Sequence, residues 1–149
     1  MVTLRTFCAE DASALIRIGA PGCCTKPQAE ALITAWNKNE YNNRYFAMFA
    51  IVFDGALVGM ISLYEHSGEV VSIGPEVFAP YQRRGYASEA MRLACGIAKE
   101  KGYKIVSQQI RCDNSASLAL HRTLGFVSDG TEYTNAKGNR VVIYTKSLV

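Results

Sequence analysis

From Val2 to Phe7 apolar and polar residues alternate, the two-residue period of a half-buried strand. Glu10-Asp11 then opens a helix predicted to run through Ile18, where Pro21-Gly22 breaks the pattern. Pro27 suits the first turn of a second helix, to about Lys38, because a backbone N–H is not needed there. Two long apolar segments follow, Tyr45–Phe53 and Ala56–Tyr64, joined by Asp54-Gly55, a strong hairpin signal. His66-Ser67-Gly68 makes a second turn into a third strand, Glu69 to Phe78.

The period then changes from two to 3.6. Ala87, Ala90, Met91, Ala94, Ile97 and Ala98 recur at helical spacing, and Gly102 ends the helix after Lys99 and Lys101. Lys104 to Arg111 reads as a strand, and Asp113 or Asn114 caps a helix ending at Leu124-Gly125. Two closing strands, about Phe126–Thr134 and Arg140–Lys146, flank a turn at Lys137-Gly138-Asn139. The order β-α-α-β-β-β-α-β-α-β-β predicts an α+β fold. Its sheet is mixed and mostly antiparallel, with six to seven strands and helices on both faces.

Composition narrows the function classes. The 149 residues suit one domain spanning 1–149 with a single well-filled core. A net charge of +3, carried by dispersed basic residues, argues against nucleic acid as the partner. No apolar run approaches the ~20 residues of a membrane span, and the N-terminus reads as a strand instead of a cleavable signal. Cys8, Cys23, Cys24, Cys95 and Cys112 form no C-x-x-C pair. They read as reduced thiols of a cytoplasmic protein, with no metal site expected.

The candidate chemistry starts at Gln82-Arg83-Arg84-Gly85-Tyr86-Ala87, between an apolar strand and the long helix. Glycine keeps that backbone bare, so successive N–H groups can converge on an anion at the helix start, where the dipole favours negative charge. Two arginines add forked donors suited to phosphate. The run lacks the full G-x-G-x-x-G pattern and the Gly-Lys-Ser/Thr of a P-loop. Taken alone, it fits either a phosphorylated ligand or a tight strand-to-helix turn.

Asn114-Ser115-Ala116-Ser117, ending in Gly125-Phe126, lies one strand further on. With both segments in view the chain resembles the GCN5-related N-acetyltransferase (GNAT) superfamily. Gln82, Gly85 and Ala87 match that family's Q/R-x-x-G-x-G/A run; Asn114, Ser117, Gly125 and Phe126 match its N-x-x-S-x-x-x-Y-x-x-x-G-F run. Leu4-Arg5 and Glu10-Asp11 resemble its N-terminal signature. The wording of Arg84 to Ala90 is most similar to the ribosomal-protein alanine acetyltransferase-like branch.

The resemblance implies a sheet splayed between the strands around 69–78 and 104–111, with a bulge near Pro75-Glu76-Val77. It implies acetyl-CoA as co-substrate, with the backbone of Glu76 and Val77 on the pantetheine arm. Gln82, Arg83, Arg84, Gly85, Tyr86, Ala87 and Ser88 would surround the diphosphate, and Asn114 and Ser117 the far wall. The family's tyrosine, which protonates the departing thiolate, is replaced by His121; an acid role, a ligand contact and neither all stay open. Tyr81, Tyr86 or Tyr133 would substitute only if folding brought one close. Gln109 occupies a position where some members carry a basic glutamate, which leaves Glu69 and Glu76, and more weakly Glu65 and His66, as candidate bases.

The acceptor is a primary amine of a small molecule or peptide, with a homodimer left open. Deprotonating a lysine-type amine at pH 7 costs about 4.6 kcal/mol and an α-amine about 1 kcal/mol, so a missing base favours the weaker base. Cys23, Cys24, Trp36, Tyr41, Asn42 and Arg44 are candidates to line the acceptor cleft. Direct transfer in a ternary complex, with the Val77 N–H on the developing oxyanion, is the reading. A non-catalytic acyl-CoA sensor on the same scaffold is the alternative.

Overall fold

A computed structural model describes residues Met1–Val149. Its strands are β1 (Val2–Thr6), β2 (Glu40–Tyr41), β3 (Arg44–Phe53), β4 (Ala56–Glu65), β5 (Val70–Val77), β6 (Ile105–Arg111), β7 (Glu132–Thr134) and β8 (Arg140–Ser147). Its helices are α1 (Ala12–Ile18), α2 (Lys26–Trp36), α3 (Tyr86–Glu100) and α4 (Ser115–Thr123). The strands form one sheet in the order β1-β3-β4-β5-β6-β8-β7, with β2 paired to β3, and only β5–β6 is parallel.

The sequence signals locate most of this. Asp54 (φ 52°) and Gly55 (φ 76°) both take the left-handed conformation that a two-residue hairpin needs. Thr25 caps α2 through a capping box with Gln28, and Pro27 falls in the first turn as predicted. Three expectations change. The short strand β2 was not foreseen. The strand expected from Phe126 shrinks to a single bridge, Val127 to Thr145, before the three residues of β7. The bulge expected at Pro75–Val77 is absent: β5 pairs with β4 in unbroken register from Gly59–Val77 to Glu65–Val71. The register shift lies instead between Ile51 and Val52 on β3.

Two apolar clusters flank the sheet. One gathers Val71, Ile73, Val106 and Ile110 under Ala90, Met91, Ala94 and Ala98 of α3, together with Leu124 and Phe126. The other packs Leu15, Ala29 and Ile33 of α1 and α2 against Ala50, Met60 and Phe78. Asp11 stitches the second layer to β1, since its carboxylate takes both arms of Arg5 at 2.8 and 2.9 Å and the Cys8 N–H at 2.9 Å. That pairing holds the Asp11 carboxyl below its ordinary range, against the opposing effect of burial. No helix is long and apolar enough to cross a membrane.

Candidate active site

The parallel β5–β6 contact consists of two ladder pairs, Val70–Ile105 and Val71–Val106. Beyond them side chains continue the closure. Ser72 Oγ donates to the Ser107 carbonyl at 2.7 Å. Gln108, 6% exposed, then acts as a surrogate for a missing strand residue. Its Oε1 accepts from Ile73 N–H at 2.9 Å and its Nε2 donates to the Ile73 carbonyl at 2.6 Å. Past Ile73 the strands diverge, and the cleft of about 700 Å³ that opens is lined by Gly74, Pro75, Gln82, Ala87, Asn114, Ser117 and His121, among others.

Alternation along β5 decides which backbone groups face this cleft. Ile73 points to β6, and Phe78 N–H points to β4, donating to the Val58 carbonyl at 2.9 Å. Residues 75 and 77 therefore face the gap. Pro75 has no N–H, and the Val77 carbonyl already accepts from Gln82 Nε2 at 3.0 Å. The strand offers the cleft one donor, Val77 N–H, and one acceptor, Pro75 C=O. Glu76, expected on the pantetheine arm, does not face the gap, because its carbonyl points at β4. A Cβ placed on Gly59 would lie 2.4 Å from it, so its backbone is unavailable to a ligand in the gap.

The cleft's open end meets the start of α3. Gly85, at φ 83°, is the N-cap and supplies no side-chain cap. The first helical bond is Glu89 N–H to the Gly85 carbonyl at 3.2 Å. The amides of Tyr86, Ala87 and Ser88 thus have no acceptor within the helix. Arg83 and Arg84 are exposed beside them, with Arg84 stacked 6.0 Å over Tyr81. The Tyr86 ring turns the other way, buried against Phe53 at 4.9 Å, so only its amide belongs to the site. On the far wall Asn114 Oδ1 caps α4 by accepting Ser117 N–H at 3.1 Å, leaving its amide N–H groups uncommitted.

His121 is 3% exposed. Its Nδ1 lies 2.7 Å from the Ser117 carbonyl and 3.4 Å from Ser117 Oγ, and its Nε2 lies 3.3 Å from Gln108 Nε2. Burial pushes its pKa below the ordinary value, opposed by the Ser117 carbonyl. An imidazolium resting as the acid, one of the roles left open by the sequence, does not fit this environment.

The remaining candidates scatter. Glu69 sits at the closed end of β5, paired with Lys104 at 3.2 Å. At ~3.3 Å per residue that is about 26 Å along the strand from Val77, too far for a base. The Glu76 side chain is exposed and does not line the cleft. Glu65 accepts from the Tyr103 hydroxyl at 2.7 Å. His66 bonds Ser72 Oγ, on the rim of a neighbouring 490 Å³ hollow. Tyr133 is exposed on β7. Cys23 is buried beneath α1 and α2, and Trp36 packs on Phe7 at 5.0 Å. Asn42 takes φ 52° in the β2–β3 turn. Tyr41, paired with Arg44 across β2–β3, stands edge-on to the cleft-lining residue Tyr64 at 6.2 Å, and Cys24 is exposed ahead of α2.

Gln108 went unnoticed in the sequence, although a signal existed. It is a polar residue at the inward position between Val106 and Ile110, and an inward polar side chain demands a partner.

The family model described as acetyltransferase (GNAT) domain matches residues 2–127. The chain is 26% identical over 123 residues to an SPbeta prophage-derived uncharacterized N-acetyltransferase, YokL, of Bacillus subtilis strain 168. That match covers 80% of this chain and 66% of the relative, just under two thirds of its length. Among solved structures, the ribosomal L7/L12 alpha-N-protein acetyltransferase RimL superposes with a TM-score of 0.76 at 20% identity, covering 99% of this chain and 93% of that one. The microcin C7 self-immunity acetyltransferase MccE, in complex with acetyl-CoA and AMP, gives a TM-score of 0.79 at 19% identity, covering 98% and 92%.

Proposed function

The chain belongs to the GNAT acetyltransferase family, and from that premise we propose that it is a single-domain N-acetyltransferase moving the acetyl group of acetyl-CoA directly to a primary amine. One observation carries the reading: the β5–β6 gap opens onto the uncapped N-terminus of α3. An unpaired strand edge beside convergent amides fits a molecule with an amide-bearing arm and a diphosphate. Val77 N–H and Pro75 C=O meet the arm, and the amides of Tyr86 to Ser88, with Arg83 and Arg84 outside, meet the diphosphate. Asn114 and Ser117 close the far side. Gln82 holds the Val77 carbonyl and so fixes the orientation of the neighbouring N–H.

Acetyl-CoA supplies an activated acyl carbon with a thiolate leaving group. The protein's part is to position the amine against it and to exclude water. The ribosomal L7/L12 alpha-N-protein acetyltransferase activity of the fold relative RimL supports an α-amine acceptor. So does a cleft lined by no carboxylate.

The test is thiol release from acetyl-CoA with amino acids, polyamines, aminoglycosides and N-terminal peptides, alongside calorimetric titration with CoA. Turnover with one amine class is expected. Tight CoA binding with no amine raising thiol release would establish the acyl-CoA sensor instead, and no CoA binding at all would remove both readings.

A further inference from the structure

The cleft passes through the sheet. Ile61 and Leu63 of β4, Val71 and Ile73 of β5, and Val106 and Ile110 of β6 all belong to the apolar layer under α3. Alternation therefore turns Ser62, Tyr64, Ser72, Ser107 and Gln109 to the opposite face. The cleft is lined from both sides, by Ala87, Asn114 and Ser117 on the helical side and by Ser62, Tyr64, Ser72 and Gln109 on the other. On that second side lies the 490 Å³ hollow, which shares Ser72 and Gln109 with the cleft and adds His66, Ser107 and Ile143. A cofactor with its diphosphate at the start of α3 enters from the helical face, so the second reactant meets its thioester from the hollow.

No Asp, Glu, Lys or Arg lines either space, and Glu76, further along that face of β5, stays outside both linings. The only hollow-lining side chain that can take a charge is His66, and that charge is positive. Ser72 Oγ gives its hydrogen to the Ser107 carbonyl, so the His66 Nε2–H donates to Ser72 Oγ. The groups left for a ligand are neutral. Gln109 Oε1 accepts from Asn135 Nδ2 at 3.0 Å, which leaves both hydrogens of its own amide uncommitted. The Ser62 and Tyr64 hydroxyls border the cleft beside it.

We propose that the hollow is the acceptor subsite and that it selects a primary amine borne on an uncharged, hydrogen-bonding body, with Gln109 as the specificity-determining residue where hollow and cleft join. This rests on the acetyl-transfer reading. A second ammonium, as in a polyamine or an aminoglycoside, loses water in the hollow and finds no carboxylate there. An acidic body finds no lysine or arginine. Hydroxyl and amide groups are matched by the Gln109 amide and the serine and tyrosine hydroxyls.

The test is thiol release at saturating acetyl-CoA with acceptors matched for everything but the charge of the body. Gln-Ala amide is compared with Glu-Ala and Lys-Ala amides, ethanolamine with spermidine, and glucosamine with kanamycin. In every set that is turned over, the neutral member should lead in kcat/KM by about tenfold or more. Gln109→Glu puts a carboxylate at the junction, and should shift the ratio of Lys-Ala to Gln-Ala amide, or of spermidine to ethanolamine, upward by roughly threefold or more. Its unfolding midpoint, read alongside, should stay near that of wild type. A charged acceptor that equals or beats its neutral counterpart overturns the inference and leaves acetyl transfer standing. So does a folded Gln109→Glu variant with unchanged ratios. A wild type that releases thiol with none of the amines sinks the transfer reading and this inference together.

Discussion

Replacing Gln108 with leucine keeps roughly the shape of a buried side chain while removing its polar end. The two bonds to Ile73, at 2.9 and 2.6 Å, are lost together. Each buried backbone group left without a partner costs about 1–3 kcal/mol, hence about 2–6 kcal/mol for the N–H and C=O combined. Ile73 borders the cleft, so water can reach it and the lower half of that range applies. Added apolar burial of the leucine offsets about 1 kcal/mol more. The expected loss is about 1–3 kcal/mol in urea unfolding, read with the slope held against wild type. Gln109→Leu is the control. Its side chain is exposed and accepts one bond from Asn135 at 3.0 Å, so a change within about 0.5 kcal/mol is expected. Gln108→Glu sharpens the test. Its carboxylate can still accept from Ile73 N–H but faces the Ile73 carbonyl with a second oxygen, so the folded state favours the protonated acid. That raised pKa makes the variant's stability highest in acid and lost as pH rises through it. Equal stabilities for the two leucine variants would refute the strand-surrogate role.

Three other outcomes follow from the geometry. Gly59→Ala places a Cβ 2.4 Å from the Glu76 carbonyl and 3.0 Å from Val77 Cα, both backbone atoms; thermal unfolding should drop by several degrees, whereas Gly96→Ala, with open space around it, should not destabilise. Gly85→Ala meets no atom within 4 Å but must hold φ 83°, so a penalty of about 1–2 kcal/mol and weaker CoA binding by calorimetry are expected together. Asp11→Asn should lower stability at neutral pH. Because the Asp11 pKa is depressed by Arg5, the wild-type advantage should be full above the unfolded value of about 3.9 and shrink as pH falls through the lower folded value, checked by denaturation at several pH values.

Local chemistry carried the sequence reading a long way. The Asp54-Gly55 turn, the α3 periodicity and the Asn114 cap depend on residues within a few positions of one another, and all stand where the pattern put them. Gln82, Ala87, Asn114, Ser117 and His121 share one cleft. What escaped depended on contacts across the sheet. Side-chain parity placed Glu69 with Val71 and Ile73, but not which end of β5 would open. Glu76 lay in the right segment with the wrong backbone direction, because β5 runs in unbroken register and the extra residue, Val58, lies on β4 opposite Ile51 and Val52. Gln108 has no motif, and its partner Ile73 is 35 residues away.

The two ladder pairs at the closed end of the gap also have a mechanical meaning. Strands β1 to β5 and strands β6 to β8 are two plates joined by a short seam, reinforced by Ser72 and Gln108 and free beyond it. A chain lying in the gap completes the missing rungs and couples the plates, and its departure uncouples them. The seam is thus the place where a chain seated in the gap would tie the two plates together.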